Sequence, residues 1–124
     1  MSVLGIGVDV VALERVEALC EKHPEHFAQR VFTEKDREHF YPTPSVNRIA
    51  ARFAVKEAVS KALGTGIGPI TWQDIETTNT ESGQPQVNLY GKAADLAAEK
   101  GVKAIHCSIS HEKMVAVAMI VLEG

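Results

Sequence analysis

RFAVKEAVSKALGTGIG, residues 52–68, reads as the body of a helix that runs into a glycine-rich stop. At about 100° per residue, Arg52, Lys56 and Ser60 share one stripe, which Arg48 extends one turn earlier. That stripe reads as the solvated side. Glu57 and Lys61 fall outside it, flanked on the wheel by Ala50, Phe53 and Ala54. A Glu–Lys pair at i, i+4 ordinarily decorates a surface and is worth ~0.2–0.5 kcal/mol. Beside alanines that must pack, it needs another reason.

Outward from this helix, Pro42 and Pro44 end the preceding segment, and Ser45 or Thr43 can cap a helix over residues 46–63. Gly64 supplies a C-terminal cap, with Gly66 and Gly68 beyond it. Upstream, VLGIGVDVV (3–11) is a near-continuous valine-rich run, the pattern of a buried strand. Leu13, Val16 and Leu19 then recur at three-residue spacing and predict a helix over 12–22. Phe27, Val31 and Phe32 form a shorter apolar cluster. Thr33, with Asp36 three residues on, can cap a further helical turn or two.

Downstream, TWQDIETTN and PQVNLYG flank TESGQ as a hairpin, and KAADLAAEK is a short helix ended by Gly101. VKAIHCSIS and MVAVAMIVL, joined by HEK, form a second hairpin, its last strand so apolar that cover on both faces is expected. The order β-α-α-α-β-β-α-β-β predicts one α+β domain over 1–124, with helices packed on an antiparallel sheet.

The 124 residues are 45% hydrophobic and 23% charged, as in an ordinary globular chain. A net charge of −3 gives no electrostatic reason for nucleic acid or an anionic membrane as partner. No apolar run approaches the ~18 residues that span a bilayer. The N-terminal stretch lacks the basic region of a signal peptide and carries Asp9 within its apolar run. Cys20 and Cys107, without metal-ligand spacing, read as reduced buried thiols of a soluble cytoplasmic protein.

Asp9 is the first anomaly. A carboxylate in a valine-rich strand loses hydration at a cost of several kcal/mol unless a cation or donors replace the water. It either caps the following helix from a strand end or serves as an oxygen ligand for a hard divalent cation. Glu57, one turn before Lys61, suits a phosphate site, where a metal bridges phosphate oxygens and an ammonium neutralises charge as a bond breaks. SISHEK (108–113) sets hydroxyls and His111 at a hairpin tip that could hold a phosphate edge. GTGIG (64–68) could approach a phosphate through backbone amides, although it lacks the Lys-Ser/Thr of a P-loop.

Together, GIGVDVVALERV, RFAVKEAVSKALGTGIG and SISH, in this order and in a chain of this length, resemble the small-subunit phosphopantetheinyl transferases, the holo-(acyl-carrier-protein) synthases. The resemblance spans nearly the whole chain, and Lys-Glu-Ala with its following lysine is its most specific part. It implies a 4′-phosphopantetheinyl transferase-like fold. It also implies transfer of the 4′-phosphopantetheine arm of coenzyme A to a serine of apo-acyl carrier protein, releasing adenosine 3′,5′-bisphosphate, in fatty acid biosynthesis. By the same resemblance Asp9, Glu57 and Lys61 are catalytic, Asp9 and Glu57 hold Mg²⁺, and Lys61 lies by the diphosphate. His111 matches a residue near the 3′-phosphate end of coenzyme A, Gly64 and Gly66 line the cleft, and Arg52 is counted among the coenzyme A contacts.

Arg15 matches an arginine that family members set against the carrier's acidic helix, and Lys22 lies seven residues on along the same face. Family members are homotrimers with active sites between subunits. Larger two-lobed relatives carry Asp-x-Glu at the first metal position, where this chain has Asp9 and Val11. Water and substrate oxygens must then complete the Mg²⁺ shell, which tolerates them. The base that takes the serine proton stays open among a water on the metal, Asp9 and Glu57.

Overall fold

The computed structural model describes residues 1–38, 40 and 45–124. In chain order the elements are β1 (Val3–Ala12), α1 (Leu13–Lys22), α2 (Pro24–Val31), α3 (Glu34–Glu38), α4 (Val46–Leu63), β2 (Ile75–Asn79), β3 (Pro85–Leu89), α5 (Gly91–Lys100), β4 (Ala104–His111) and β5 (Val115–Glu123). The α+β class is the one the hydrophobic pattern predicts, but four helices precede β2 where the pattern gives three, because Pro24–Val31 and Glu34–Glu38 form two separate helices. The structure also differs at TWQDIETTN, where Trp72–Asp74 form a 3₁₀ turn before β2 begins. The cause is local: Thr71 and Asp74 close a capping box that bends the backbone out of strand geometry.

Strands β1, β5 and β4 form one antiparallel sheet in that order, and β2 with β3 forms a second. α4 lies directly on β1. A Cβ on Gly5 would stand 2.2 Å from the Ala62 carbonyl oxygen, and one on Gly7 would stand 2.0 Å from that of Ala58. Only glycine permits this approach. Because strand side chains alternate, Asp9 and Val11 follow Gly7 on the face turned to α4, and both are buried.

The other face of β1 corrects the buried-strand expectation. Ile6, Val8 and Val10 are 54–70% exposed, and Met119, paired with Val8 on the neighbouring β5, is also exposed. On β5 itself Ala116, Ala118, Ile120 and Leu122 are buried while the alternate positions are not. One face of this sheet is covered within the chain, and the other presents an apolar surface.

The caps of α4 fall where the sequence places them. Ser45 Oγ accepts the Arg48 amide at 3.4 Å, and Gly64 takes a left-handed φ of 84° with its amide donating to the Lys61 carbonyl. The alternative cap Thr43, with Pro42 and Pro44, lies outside the described residues.

The stripe Arg52, Lys56 and Ser60 is buried, not solvated, because α3, β2 and the 3₁₀ turn close over it. Lys56 is 0% exposed. Its ammonium donates to Asp36 Oδ2 at 2.7 Å, to the Trp72 carbonyl at 3.0 Å and to the Ile75 carbonyl, so all three hydrogens are placed. Asp36 also accepts the Thr33 and Thr77 amides at 3.0 and 2.9 Å, and its own amide donates to Thr33 Oγ1 at 3.1 Å. The cap expected from Thr33 and Asp36 is therefore present and anchors a buried ion pair. Burial lowers the Lys56 pKa, against the pull of Asp36. Nearby, burial alone would raise Glu76, but hydrogen bonds from Thr33, Tyr90 and Asn88 outweigh it and lower its pKa. Among the described residues no helix is long and apolar enough to cross a membrane.

Gly7→Ala should lose about 1–3 kcal/mol or more in urea unfolding, since its methyl meets a backbone carbonyl that no rotamer can move. Adding Ala58→Gly should not rescue it, because the obstacle is main chain; rescue would refute the close-approach account. Lys56→Met should cost ~3–5 kcal/mol by stranding the Asp36 carboxylate, read as a lower urea midpoint at unchanged m-value.

Candidate active site

The register that sets Gly7 against Ala58 carries Asp9 beside the last turns of α4. Lys61 Nζ donates to Asp9 Oδ1 at 2.8 Å and to the Val8 carbonyl at 3.1 Å. Two of its three hydrogens are thereby used, and the side chain, 53% exposed, keeps one for an outside oxygen. The Asp9 side chain is only 7% exposed, and its Oδ2 is buried with no hydrogen-bond partner. Glu57 stands one turn before Lys61, its side chain 22% exposed.

Three effects hold the Glu57 carboxyl above its ordinary range: burial first, then the charge of Asp9, then a hydrogen bond with Asp9. Arg15 and Lys61 oppose them. Burial and the neighbouring Asp9 charge thus both disfavour ionisation of Glu57 when nothing else neutralises it. The Asp9 hydrogen bond in turn raises the Lys61 pKa. An orphaned, buried carboxylate oxygen beside a second carboxyl that resists ionisation fits a hard divalent cation. Asp9 and Glu57 would hold it; among the described residues no group of three or more His, Cys, Asp or Glu could hold a metal. Val11 is packed in the core and contributes nothing to such a site.

A cleft of about 310 Å³ opens beside the pair, lined by Glu57, Ser60, Lys61, Gly66, Ile67 and Trp72. Trp72 stacks on Phe53 with ring centres 4.9 Å apart. Ser60, Ile67 and Trp72 were missed as site residues, because a polar group on a supposed solvated stripe and two loop hydrophobics carry no chemical signature. Gly66 lines the cleft and Gly64 serves the cap. The glycine loop does not form an amide cradle: Gly64 donates to the Lys61 carbonyl, Gly66 to that of Ser60 and Gly68 to that of Ile70.

His111 and Arg52 meet elsewhere, in a pocket of about 520 Å³ that Asn47, Arg48 and Asn79 also line. Arg52 is buried there with its Nε unpartnered, a cationic site suited to an anion. Arg52 and Lys61 are nine residues apart, about 180° around the helix and about 13.5 Å along it. The predicted residues therefore form two groups on opposite sides of α4. Arg15 contacts the first group, with Nη2 3.8 Å from Glu57 Oε1 and Cζ 5.4 Å from the Phe53 ring centre. Lys22 is exposed in the last turn of α1. Both cysteines are free and half-buried, and burial pushes the Cys107 thiol up to about 11.

Residues 5–118 match the family model of the 4′-phosphopantetheinyl transferase superfamily. A holo-[acyl-carrier-protein] synthase of Caldanaerobacter subterraneus is 46% identical, over 96% of this chain and 94% of the relative. Among solved structures, the holo-[acyl-carrier-protein] synthase of Neisseria meningitidis superposes with a TM-score of 0.89 at 35% identity, covering 99% of this chain and 100% of that one. A holo-(acyl-carrier-protein) synthase from Bacillus anthracis, solved in complex with coenzyme A (3′,5′-ADP), gives 0.81 at 36% identity over 98% and 97%. The chain belongs to the 4′-phosphopantetheinyl transferase superfamily and, within it, to the holo-[acyl-carrier-protein] synthases.

The raised Glu57 pKa gives a sign that can be checked. The stability it contributes is full below its ordinary 4.5 and is lost as pH rises through the raised value. Without divalent cations, Glu57→Gln should therefore melt higher than the parent at about pH 8 and not at about pH 4. Mg²⁺ should raise the parent's Tm by an amount that grows with pH, and raise that of the variant little. A variant that responds to Mg²⁺ like the parent would remove Glu57 from the cation site.

Proposed function

We propose that this chain transfers the 4′-phosphopantetheine arm of coenzyme A to a serine of apo-acyl carrier protein, with Mg²⁺, as a cytoplasmic step of fatty acid biosynthesis. The observation that carries this reading is the Asp9–Glu57–Lys61 cluster, two poorly hydrated carboxyls and a half-exposed ammonium at the mouth of a cleft. Bound Mg²⁺ would neutralise the diphosphate and the charge that develops on it. Asp9, whose Oδ2 is buried without a partner, and Glu57 would hold the ion. The serine oxygen attacks the phosphorus that bears pantetheine, the diphosphate P–O bond breaks, and adenosine 3′,5′-bisphosphate leaves. Lys61 directs its remaining hydrogen at the departing phosphate, where its charge counts most in the transition state. The serine proton goes to Asp9, Glu57 or solvent.

Arg48, Arg52 and His111 suit the 3′-phosphate end of the same substrate. They lie across α4 from Lys61, so one coenzyme A reaches both groups most directly when two subunits supply them. The uncovered apolar face of β1 and β5 supports the same conclusion, a homotrimer with active sites between subunits. Carrier docking is assigned to the first helix through Arg15 and Lys22.

The enzyme incubated with coenzyme A and Mg²⁺, with and without apo-carrier, should add the arm to the carrier by mass spectrometry and leave coenzyme A intact without it. Asp9→Ala should abolish the addition. Cleavage of coenzyme A in the carrier's absence would mark a phosphohydrolase instead, and binding without either reaction a coenzyme A-binding module.

A further inference from the structure

Arg15 is poised between two kinds of partner. Its guanidinium lies 3.8 Å from Glu57 Oε1, beyond hydrogen-bond length, and no hydrogen bond to the described residues holds it. The side chain is 57% exposed, yet its position is defined, with Cζ 5.4 Å from the centre of a Phe53 ring that is itself buried and stacked on Trp72. Arg15 thus rests on a rigid aromatic platform, one side toward the inner carboxyl and the other toward solvent.

We propose that Arg15 is a shared partner that couples carrier docking to cation binding: it guards Glu57 in the free enzyme and is drawn off by a carboxylate of the carrier. A divalent cation and the guanidinium compete for the same Glu57 charge, so the cation binds more weakly while Arg15 stays. An acidic surface that engages Arg15 relieves that competition. Binding linkage makes the effect reciprocal: the cation tightens the carrier as the carrier tightens the cation. The inference rests on the carrier-modifying reading above. It makes Arg15 a positioning residue for Glu57 in addition to a docking contact.

The test measures Mn²⁺ binding by electron paramagnetic resonance on the whole enzyme at low salt, without coenzyme A so that no turnover occurs. Arg15→Gln should bind Mn²⁺ roughly two- to fivefold tighter than the parent, the range open to an exposed ion pair. Arg15→Lys, which keeps the charge, should stay near the parent and serves as the folding control. Apo-acyl carrier protein, its own Mn²⁺ uptake subtracted, should tighten the parent by a similar factor and leave Arg15→Gln unchanged. Equal or weaker Mn²⁺ binding by Arg15→Gln, or an equal carrier effect in both proteins, overturns the coupling. Coenzyme A and Mg²⁺ added afterwards separate the two failures. A carrier the parent never modifies overturns the transfer reading and the coupling with it, whereas one modified without Arg15-dependent coupling overturns the coupling alone.

Discussion

The approach of α4 to β1 across two glycines is the constraint on which the site depends. With carbonyls of Ala58 and Ala62 set where a Cβ of Gly7 or Gly5 would be, helix and strand sit closer than ordinary side chains allow. Asp9 follows on the same strand face, so the short aspartate side chain reaches Lys61 at 2.8 Å without leaving the sheet. A larger residue at position 7 would lift the helix and lengthen every contact across this seam. The site is thus built by a register, glycine, glycine, aspartate at alternate strand positions, against a helix that carries its functional side chains one turn apart.

A second constraint holds the helix in rotation. Lys56 and Glu57 are neighbours about 100° apart on the wheel, so fixing one aims the other. The Lys56 ammonium is bound by Asp36 and by the carbonyls of Trp72 and Ile75, joining α3, the 3₁₀ turn and β2 to one atom of α4. A buried ion pair contributes little net stability against a well-packed apolar alternative. What this one supplies is position: Trp72, tied through its backbone to Lys56, forms the wall of the cleft into which Glu57 and Lys61 look. The Lys-Glu dipeptide divides the labour, the first residue holding the frame and the second facing the cleft.

The parts legible in the sequence are those governed by local rules. Ser45 and Gly64 bound α4 because capping depends on a few adjacent residues, and Thr33 with Asp36 is readable for the same reason. Asp9, Glu57 and Lys61 stand out because charges in apolar surroundings contradict their neighbours. A helical wheel gives relative faces and cannot say which face meets water, and α4 is wrapped on nearly every side. Arg52, Lys56 and Ser60 accordingly read as a solvated stripe, whereas the partners of Lys56, which are Asp36, Trp72 and Ile75, come from segments that no wheel contains. The exposed side of β1 is illegible for a related reason, since an apolar run does not say how many of its faces its own chain covers.

Opposite placement of the two cationic groups has a consequence for how a small chain handles a long substrate. Lys61 and Arg52 are separated by half a turn of wheel and about 13.5 Å of helix, with the body of α4 between them. A ligand confined to one chain would have to pass around the helix to touch both. Most of α4 is buried within the chain, so its flanks are largely occupied. On the proposed reading, a second copy set against the apolar face of β1 and β5 brings the Arg52–His111 pocket of one chain toward the Asp9–Lys61 cleft of the next. On that reading the exposed valines and the divided site would have one cause, with the neighbouring subunit supplying the wall that each group lacks within its own chain.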